Sequence, residues 1–291
     1  MTQRRVAAAL AILLAAAAGL SLLHVLAARP EPVIRAQSRQ LGVLPGLSKL
    51  SAAQLTALPE ARYDAVIAAL LPTAGAADAD TAYRLKKDTV VYAADRATPT
   101  ARLAARDFLG EPSVVVPVES SGDWLRVLTP ARQRLPSTGA NSAGTNSLGA
   151  LAPAQTSAWL RADSLSSPTM LVSRIIVSVS AQTLRIIGVG NRTWPVGVGA
   201  PGTPTPVGVT GYLQARYRDA AQGQAEHPIQ LTSLHSTAAD EPFGGNDGGL
   251  IGIHFQASAS GARSHGCIRV PLEALAAVDA LPLGTLITIE G

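Results

Sequence analysis

Short runs of β-branched and aromatic residues, bounded by turn residues, recur from residue 81 to the C-terminus. Along residues 174–180 every second side chain is apolar, at Ile175, Val177 and Val179, which is typical of a strand with one buried face. Turn formers are plentiful, with 26 glycines and 20 prolines. The pattern therefore predicts a mainly β protein.

Length and composition divide the chain into modules. The 291 residues are enough for two domains, and 47% hydrophobic against 15% charged residues argue against disorder. Turn-forming residues at 166–168 mark a boundary, so we predict one β module over residues 81–167 and a second over 168–291. Residues 136–153 are rich in Ser, Gly, Asn and Ala, which predicts a flexible insertion in the first module.

The N-terminus has the sequence of an export signal. Arg4 and Arg5 precede an apolar run that His24 interrupts only once. The run exceeds the ~7–15 residues of a cleavable signal core and approaches the ~18–20 that span a bilayer. We predict that residues 6–28 anchor the chain in the cytoplasmic membrane and leave the remainder outside it. Removal of residues 1–28 as a signal peptide is the alternative.

Residues 29–80 are predicted to link this anchor to the first β module. Ser51 and Gln54 have the spacing of a capping box at the start of a helix. A short amphipathic helix is predicted to end before Pro72. Its apolar face would consist of Tyr63, Val66, Ile67 and Leu70.

The C-terminus is predicted to form one helix and one strand. Pro271 stands where a first helical residue is expected, and Pro282 with Gly284 ends the helix. Residues 285–289 then alternate in character, which predicts a closing strand.

Charge and cysteine content limit the possible partners. A net charge of +4 and a pI near 9.6 suit an anionic partner such as the cell wall or phospholipid headgroups. The basic residues are scattered and form no stripe interleaved with aromatics, so nucleic acid is not an expected partner. Cys267 is the single cysteine and cannot form an internal disulfide. An unpaired thiol in an exported chain indicates reactivity.

Cys267 lies within the most informative stretch of the chain, SHGCIR at residues 264–269. A thiol needs a base to become a thiolate near neutral pH, and His254 lies thirteen residues upstream in a strand-like run. Gly266 lets the backbone approach a substrate carbonyl and turn its amides toward it. These residue types together predict cysteine acyl transfer.

Strand geometry predicts that these groups share one surface. Gly252 and His254 lie on the same face of a strand over residues 250–255, and the missing side chain at 252 leaves room for a substrate. Cys267 and Arg269 likewise point in one direction if residues 267–270 are extended. The opposite, core-forming face would consist of Ile251, Ile253, Phe255, Ile268 and Val270.

The SHGCIR stretch and the upstream His254 resemble the signature of the L,D-transpeptidases, the YkuD-type catalytic domain of bacterial cell walls. The resemblance extends more loosely over residues 171–291, and Thr-Pro-Thr-Pro at 203–206 is similar to the Thr-Pro-Thr-Gly loop of the family. Two features differ: Phe255 stands where many members have glycine, and only twelve residues separate the histidine from Cys267. The resemblance implies a YkuD-like β-sandwich with a short helix after the cysteine.

The resemblance also implies the reaction, which needs no cofactor or metal. The donor would be a tetrapeptide stem of peptidoglycan, cleaved after its meso-diaminopimelate or equivalent residue, and the acceptor a side-chain amine of a neighbouring stem. Cys267 would form a thioester and His254 would act as the base. The group that orients His254 would be a backbone carbonyl, here that of Phe255.

Further residues of the motif are assigned to the site. His265 either lines the pocket or braces the turn, and we include it with Gly266 among the catalytic residues. Ser264 suits a turn-stabilising hydroxyl, since such side chains bond to nearby backbone. Arg269 either binds a substrate carboxylate through two hydrogen bonds or pairs within the fold. We assign Ser264, Arg269 and Phe255 to substrate binding.

The first β module has a resemblance of its own. Residues 86–92, 122–127 and 158–161 resemble a bacterial SH3-like wall-binding module, which implies a small β-barrel. Trp124 and Trp159 are predicted to be core aromatics of this barrel rather than ligand platforms.

Four alternatives stay open. With water as acceptor, the same Cys/His pair would make the enzyme an L,D-carboxypeptidase, a wall hydrolase. A zinc site from Cys267 with His235, His254 and His265 lacks the paired ligand spacings that such sites show. Wall endopeptidases of the NlpC/P60 type place the cysteine before the histidine, the reverse of the order here. A non-catalytic wall-binding protein would have no use for a complete set of base, glycine and nucleophile.

Overall fold

The computed structural model describes residues 50–75, 77–141, 152–166, 168–218, 227–240 and 246–291. The predicted anchor at residues 6–28 lies outside these ranges. In the described part of the chain, no helix is long and apolar enough to cross a bilayer. Ser48–Gly291 forms one compact unit, and its strands confirm the mainly β prediction.

The N-terminal half contains a six-stranded antiparallel sheet. Short runs of β-branched residues form strands here, as at residues 89–92 and 124–129, and Gly122, at φ 59°, allows a tight turn beside Asp123. The first eight strands are β1 (Leu71–Pro72), β2 (Thr81–Arg84), β3 (Thr89–Tyr92), β4 (Pro99–Leu103), β5 (Val114–Val115), β6 (Pro117–Ser121), β7 (Trp124–Thr129) and β8 (Thr156–Arg161). The sheet order is β4-β3-β8-β7-β6, with β1 paired to β8. The SH3-like assignment stays a prediction.

Aromatic residues of this sheet form a buried cluster. Trp124 and Trp159 are each 7% exposed and pack with Tyr92. The guanidinium of Arg96 stacks 5.0 Å from the ring centre of Trp159, and that of Arg161 stacks 5.2 Å from Trp124. Both tryptophans are therefore buried, as predicted, and an arginine side chain stacks on each of them.

The linker contains a short helix at the predicted capping box. Helix α1 (Ala52–Ala57) begins with the predicted capping box, in which the side chains of Ser51 and Gln54 each accept a hydrogen bond from the other residue's backbone. The amphipathic helix predicted from Tyr63 onward is wrong. That segment forms turns, and the amide of Ile67 donates to the carbonyl of Arg132 at 2.8 Å. Burial of Ile67 and Leu70 against the first sheet replaces the helix, since so short a helix is marginal without tertiary support.

The flexible insertion predicted over residues 136–153 is wrong at its start, and residues 142–151 lie outside the described ranges. Pro136–Asn141 forms helix α2. The backbone amide and hydroxyl of Ser137 donate to the carboxylate of Asp247 at 2.8 and 2.7 Å. Polar contacts to a distant residue therefore order a segment whose composition offers little apolar surface to bury.

The C-terminal half is built on an eight-stranded sheet. Its elements are β9 (Thr169–Met170), β10 (Ser173–Ser178), β11 (Thr183–Gly188), β12 (Arg192–Pro195), β13 (Val198–Gly199), β14 (Val209–Tyr217), β15 (Ile229–His235), β16 (Ala239–Asp240), β17 (Asn246–Asp247), β18 (Leu250–Phe255), β19 (Ala262–Ser264), β20 (Ile268–Val270), α3 (Leu272–Asp279) and β21 (Leu286–Glu290). The sheet order is β12-β11-β10-β21-β14-β15-β18-β20. Strand β10 covers most of the alternating run predicted as a strand, and it forms a hairpin with β11. Pro271, predicted as the first helical residue, is instead the N-cap of α3, which begins one position later at Leu272.

The two halves share a hydrophobic core. Ala82, Val116 and Leu128 of the first half form one buried cluster with Tyr212 and Leu286 of the second. Strand β9 also pairs with β2 across the predicted boundary at residues 166–168. The first module thus packs directly against the half that carries Cys267.

Candidate active site

Two parallel strands bring the predicted nucleophile and base onto one surface. In the pairing of β18 with β20, Ile253 lies opposite Ile268 and His254 lies opposite Arg269. Both isoleucines are fully buried. Since side chains alternate along a strand, His254 and Arg269 share the opposite face, and Cys267, one residue before β20, joins them. This arrangement agrees with the predicted alternation of side chains along the two strands.

The Cys267 thiol is half-buried and packs against the start of β18. The amide of Gly252 donates to Sγ at 3.5 Å, and the carbonyl oxygen of Leu250 lies 3.8 Å from Sγ. A Cβ at position 252 would lie 3.9 Å from Sγ and only 3.2 Å from Cγ2 of Ile229, so glycine keeps this contact uncrowded. Burial raises the pKa of the thiol, while the Gly252 amide and the Arg269 guanidinium oppose that rise.

His254 is held in one tautomer by its own strand. Its Nδ1 lies 3.0 Å from the carbonyl oxygen of Phe255. A carbonyl only accepts, so Nδ1 carries the proton and Nε2 of the neutral ring has the free lone pair. Burial lowers the pKa of His254 and the charge of Arg269 lowers it further, against the hydrogen bond to Phe255. Near pH 7 the ring is therefore neutral and can accept a proton at Nε2.

The turn before Cys267 depends on one glycine and one buried hydroxyl. Gly266 has φ of 100°, and a Cβ there would lie 2.9 Å from Cδ1 of Ile251. Ser264 is 1% exposed, and its hydroxyl donates to the carbonyl of Cys267 at 2.6 Å. The turn can therefore hold the backbone amides of residues 266 and 267 in a fixed direction.

Two threonines of the Thr-Pro-Thr-Pro loop hold the same turn from outside. The hydroxyl of Thr203 donates to the carbonyl of Ser264 at 2.9 Å, and that of Thr205 donates to the carbonyl of Gly266 at 2.8 Å. Thr205 also accepts a hydrogen bond from the amide of Gly199 at 2.9 Å. The sequence indicated the similarity of this loop to the family but not its contacts with the turn, for which the repeated threonine was the available signal.

Arg269 brings a cation without a partner to this surface. Its backbone amide and carbonyl both bond to Gly197 at 2.9 Å, which fixes the residue in place. Its Nε is buried and has no hydrogen bond, and no carboxylate of the described residues forms an ion pair with it. A half-buried guanidinium without a counter-ion among the described residues favours an anion.

The remaining predicted residues lie at the edge of the site or away from it. Phe255 is 40% exposed, so the expectation that its side chain belongs to the core face with Ile251 and Ile253 is wrong. The strand ends there, beyond the reach of the core. His265 is exposed. His235 is buried, and its Nε2 lies 2.8 Å from the carbonyl oxygen of Pro130. Across the described ranges, no cluster of three or more His, Cys, Asp or Glu side chains could hold a metal ion.

A comparison of the chain with known protein families supports the interpretation of the SHGCIR stretch. Residues 173–289 match the model of the YkuD family, the L,D-transpeptidase catalytic domain. The matched segment runs from β10 into β21 and includes Cys267, His254 and Arg269. The recognition of this family from the sequence is confirmed over that segment: residues 173–289 form a YkuD-type domain.

Solved structures of L,D-transpeptidases are similar to the chain at low identity. L,D-transpeptidase 1 of Mycobacterium tuberculosis is 18% identical, with 47% of this chain and 78% of that one covered and a TM-score of 0.30. An L,D-transpeptidase of Mycobacterium smegmatis is 16% identical, with coverages of 58% and 91% and a TM-score of 0.31. Another from M. tuberculosis is 14% identical, with coverages of 78% and 98% and a TM-score of 0.35. No curated protein matches the chain.

Proposed function

We propose that the protein is a peptidoglycan L,D-transpeptidase in which Cys267 is the nucleophile and His254 the base. The observation that carries the proposal is the packing of Sγ against the Gly252 amide, on the strand face that also presents His254. The hydrogen bond from Nδ1 to Phe255 leaves Nε2 of that histidine available for the proton. The family match over residues 173–289 supports the reaction class.

The resting pair is neutral, because burial raises the pKa of the Cys267 thiol and lowers that of His254. Proton transfer from Sγ to Nε2 therefore accompanies the attack of sulfur on the donor carbonyl carbon. The oxyanion is held by the amides near Gly266 and Cys267, each worth ~3–4 kcal/mol in the transition state. The imidazolium then returns its proton to the leaving amine, the C–N bond breaks, and a thioester remains.

The second half of the reaction resolves the thioester. An amine of a neighbouring stem attacks the thioester carbonyl and passes its proton to His254, which returns it to the departing sulfur of Cys267. The acyl group is then joined to the acceptor through a new amide bond. With water in place of the amine, the product is a shortened stem with a free carboxylate.

Arg269 gives the site its preference for an anionic donor. Its guanidinium lies on the thiol's face without an ion-pair partner among the described residues, and a stem carboxylate fits its planar donor fork. The exposed side chains of Phe255 and His265 form the edge of the cleft. Ser264 acts on the substrate through the turn, since its hydroxyl is already bonded to Cys267. The donor is a tetrapeptide stem cleaved after meso-diaminopimelate or its equivalent.

The substrate determines where the protein works. Peptidoglycan stems lie outside the cytoplasmic membrane, and residues 6–28 have the length and flanking charges of an anchor that leaves the remaining chain on that side. The first β module, next to the catalytic half, suits a role in holding the enzyme on the wall.

Intact-mass spectrometry with a synthetic tetrapeptide stem tests the proposal. Wild-type protein should gain the mass of the tripeptide acyl group, and peptide mapping should find it on Cys267. The matched Cys267→Ser variant should show no adduct under the same conditions. Addition of an amine-bearing stem should give a crosslinked dimer, whereas release of tripeptide alone would identify a carboxypeptidase. The absence of an adduct, or an adduct on another residue, would contradict the assignment.

A further inference from the structure

A buried arginine of the first module reaches into the half that carries the active site. Arg132 is 6% exposed and follows β7. One of its terminal nitrogens donates to the carbonyls of Gly248 and Gly249, the latter at 3.2 Å. The other lies 3.5 Å from the carbonyl oxygen of Ser236. The guanidinium thus holds both ends of the segment between β15 and β18.

Two further contacts join the same regions. The Nε2 of His235 lies 2.8 Å from the carbonyl oxygen of Pro130, two residues before Arg132. The carboxylate of Asp247 accepts two hydrogen bonds from Ser137 of α2. We call the contacts made by Arg132, His235 and Asp247 the junction clasp. All three join residues 235, 236 and 247–249 to the first module.

The clasp ends next to the nucleophile. Gly248 and Gly249 lead directly into Leu250, whose carbonyl oxygen lies 3.8 Å from Sγ of Cys267. Two residues later, the Gly252 amide donates to the same sulfur. The position of the guanidinium therefore sets the start of the strand that contacts the thiol. The backbone at Gly248 packs closely against Ser236, because a Cβ at position 248 would lie 2.6 Å from the Ser236 hydroxyl oxygen.

Stability alone is a weak reason for a buried charge at this place. Burial lowers the pKa of Arg132, and the charge of Asp247 offsets only part of that cost. Apolar replacements of buried ion pairs are often neutral or stabilising in other proteins. What a guanidinium offers, and an apolar side chain does not, is a fixed fork of donors that holds several carbonyls in one geometry.

We infer that Arg132 is a positioning residue for Cys267: it fixes the backbone before β18 so that the Gly252 amide meets the sulfur. The first module then contributes to thiol reactivity from a distance. Its effect should be visible in the thiol itself, before any substrate binds. His254 of β18 and Arg269 of β20 lie on the thiol's face, and both residues are kept in a variant at Arg132.

The pH dependence of Cys267 alkylation by iodoacetamide provides the test, because the chain has one cysteine. For full-length Arg132→Met, the alkylation midpoint should move to higher pH by about one unit, because a hydrogen bond to the thiolate is weakened. Arg132→Lys should recover part of the shift. The matched control is Arg126→Met, which removes an arginine of β7 that pairs with Glu119 at 3.0 Å, away from the clasp. Its midpoint should equal that of wild type.

A milder variant covers the case in which Arg132→Met does not fold. Ser137→Ala removes one hydrogen bond to Asp247 and should move the midpoint in the same direction by a smaller amount. Wild-type midpoints in every folded clasp variant would overturn the inference. Alkylation needs no donor peptide, so this result is independent of the proposed function. Failure of wild type to form a thioester would remove that function and leave the alkylation test intact.

Discussion

The junction clasp and the face that carries Cys267 each combine an arginine with a histidine, and they satisfy these groups differently. In the junction clasp, the guanidinium of Arg132 meets three backbone carbonyls, and the ring of His235 is 1% exposed. On the face that carries Cys267, which we call the catalytic face, the Arg269 side chain makes no hydrogen bond to a described residue, and the His254 ring bonds to one through Nδ1. In the clasp, both terminal nitrogens of Arg132 and Nε2 of His235 have partners, although Nδ1 of His235 has none among the described residues. The catalytic face therefore leaves more of its guanidinium unpaired than the clasp does.

This difference in hydrogen bonding distinguishes groups that fix the structure from groups that are available to a substrate. A buried polar group with all its partners fixes one geometry, while an unpaired one costs free energy until a ligand pairs with it. Proteins commonly retain such cost where they bind or react. We therefore expect substitutions in the clasp to act first on stability and geometry, and substitutions on the catalytic face to act first on rate and affinity.

Replacement of each histidine should give the largest contrast. His254→Gln removes the base and should slow thioester formation by about 10²–10⁴-fold, with little change in the free energy of unfolding. His235→Gln should lower the free energy of unfolding by about 1–3 kcal/mol, because a buried contact is lost, with a smaller loss of rate. Single-turnover acylation and urea unfolding of both variants measure the two effects. Equal losses of rate would contradict the comparison.

Removal of the unpaired arginine should give the next largest effect. Arg269→Met should raise KM for a tetrapeptide donor about 10–100-fold, the range for lost charge-assisted hydrogen bonds. The free energy of unfolding should not fall, because the guanidinium has no hydrogen bond within the described protein. Steady-state kinetics with a donor whose carboxylates are amidated serves as control. Wild type and variant should use that donor equally, and a persisting difference would argue against carboxylate recognition.

The smallest expected difference between the two histidines is their effect on stability at acidic pH. Burial, reinforced by the charge of Arg132, lowers the pKa of His235 well below 6.5. Below pH 6.5 the unfolded chain binds a proton that the folded chain does not. The free energy of unfolding therefore decreases as the pH is lowered, by up to ~1.4 kcal/mol per pH unit. His235→Gln should flatten this dependence in urea unfolding at pH 7.5, 6.5 and 5.5. His254→Gln should flatten the pH dependence less, because the His254 ring is only half-buried and burial disfavours its protonated form less strongly. The opposite order would contradict the assignment.

Features that depend on local strand geometry could be predicted from the sequence. The alternation of side chains was enough to place Gly252, His254 and Arg269 on one face, because the period of a strand does not depend on distant residues. The glycine before Cys267 was likewise recognisable from its chemistry. The carbonyl of Phe255 as the group that bonds His254 came from the family resemblance, and the 3.0 Å contact agrees with it.

Features that depend on distant residues could not be predicted. Residues 63–70 have helical spacing, but hydrogen bonds to the first sheet hold them as turns. Helix α2 is ordered by Asp247, 110 residues away in the sequence, and Arg132 reaches 116 residues ahead to Gly248. Thr205 braces Gly266 across 61 residues. No local pattern in a single sequence encodes such pairings.

The position of β21 has a consequence for how the protein is made. This strand, Leu286–Glu290, pairs on one side with β10 and on the other with β14, so the last residues of the chain form the middle of the catalytic sheet. Without β21, strands β10 and β14 would each present an open hydrogen-bonding edge. The sheet that carries His254 and Cys267 therefore becomes continuous only when a segment that follows both residues in the sequence has been inserted between two earlier strands.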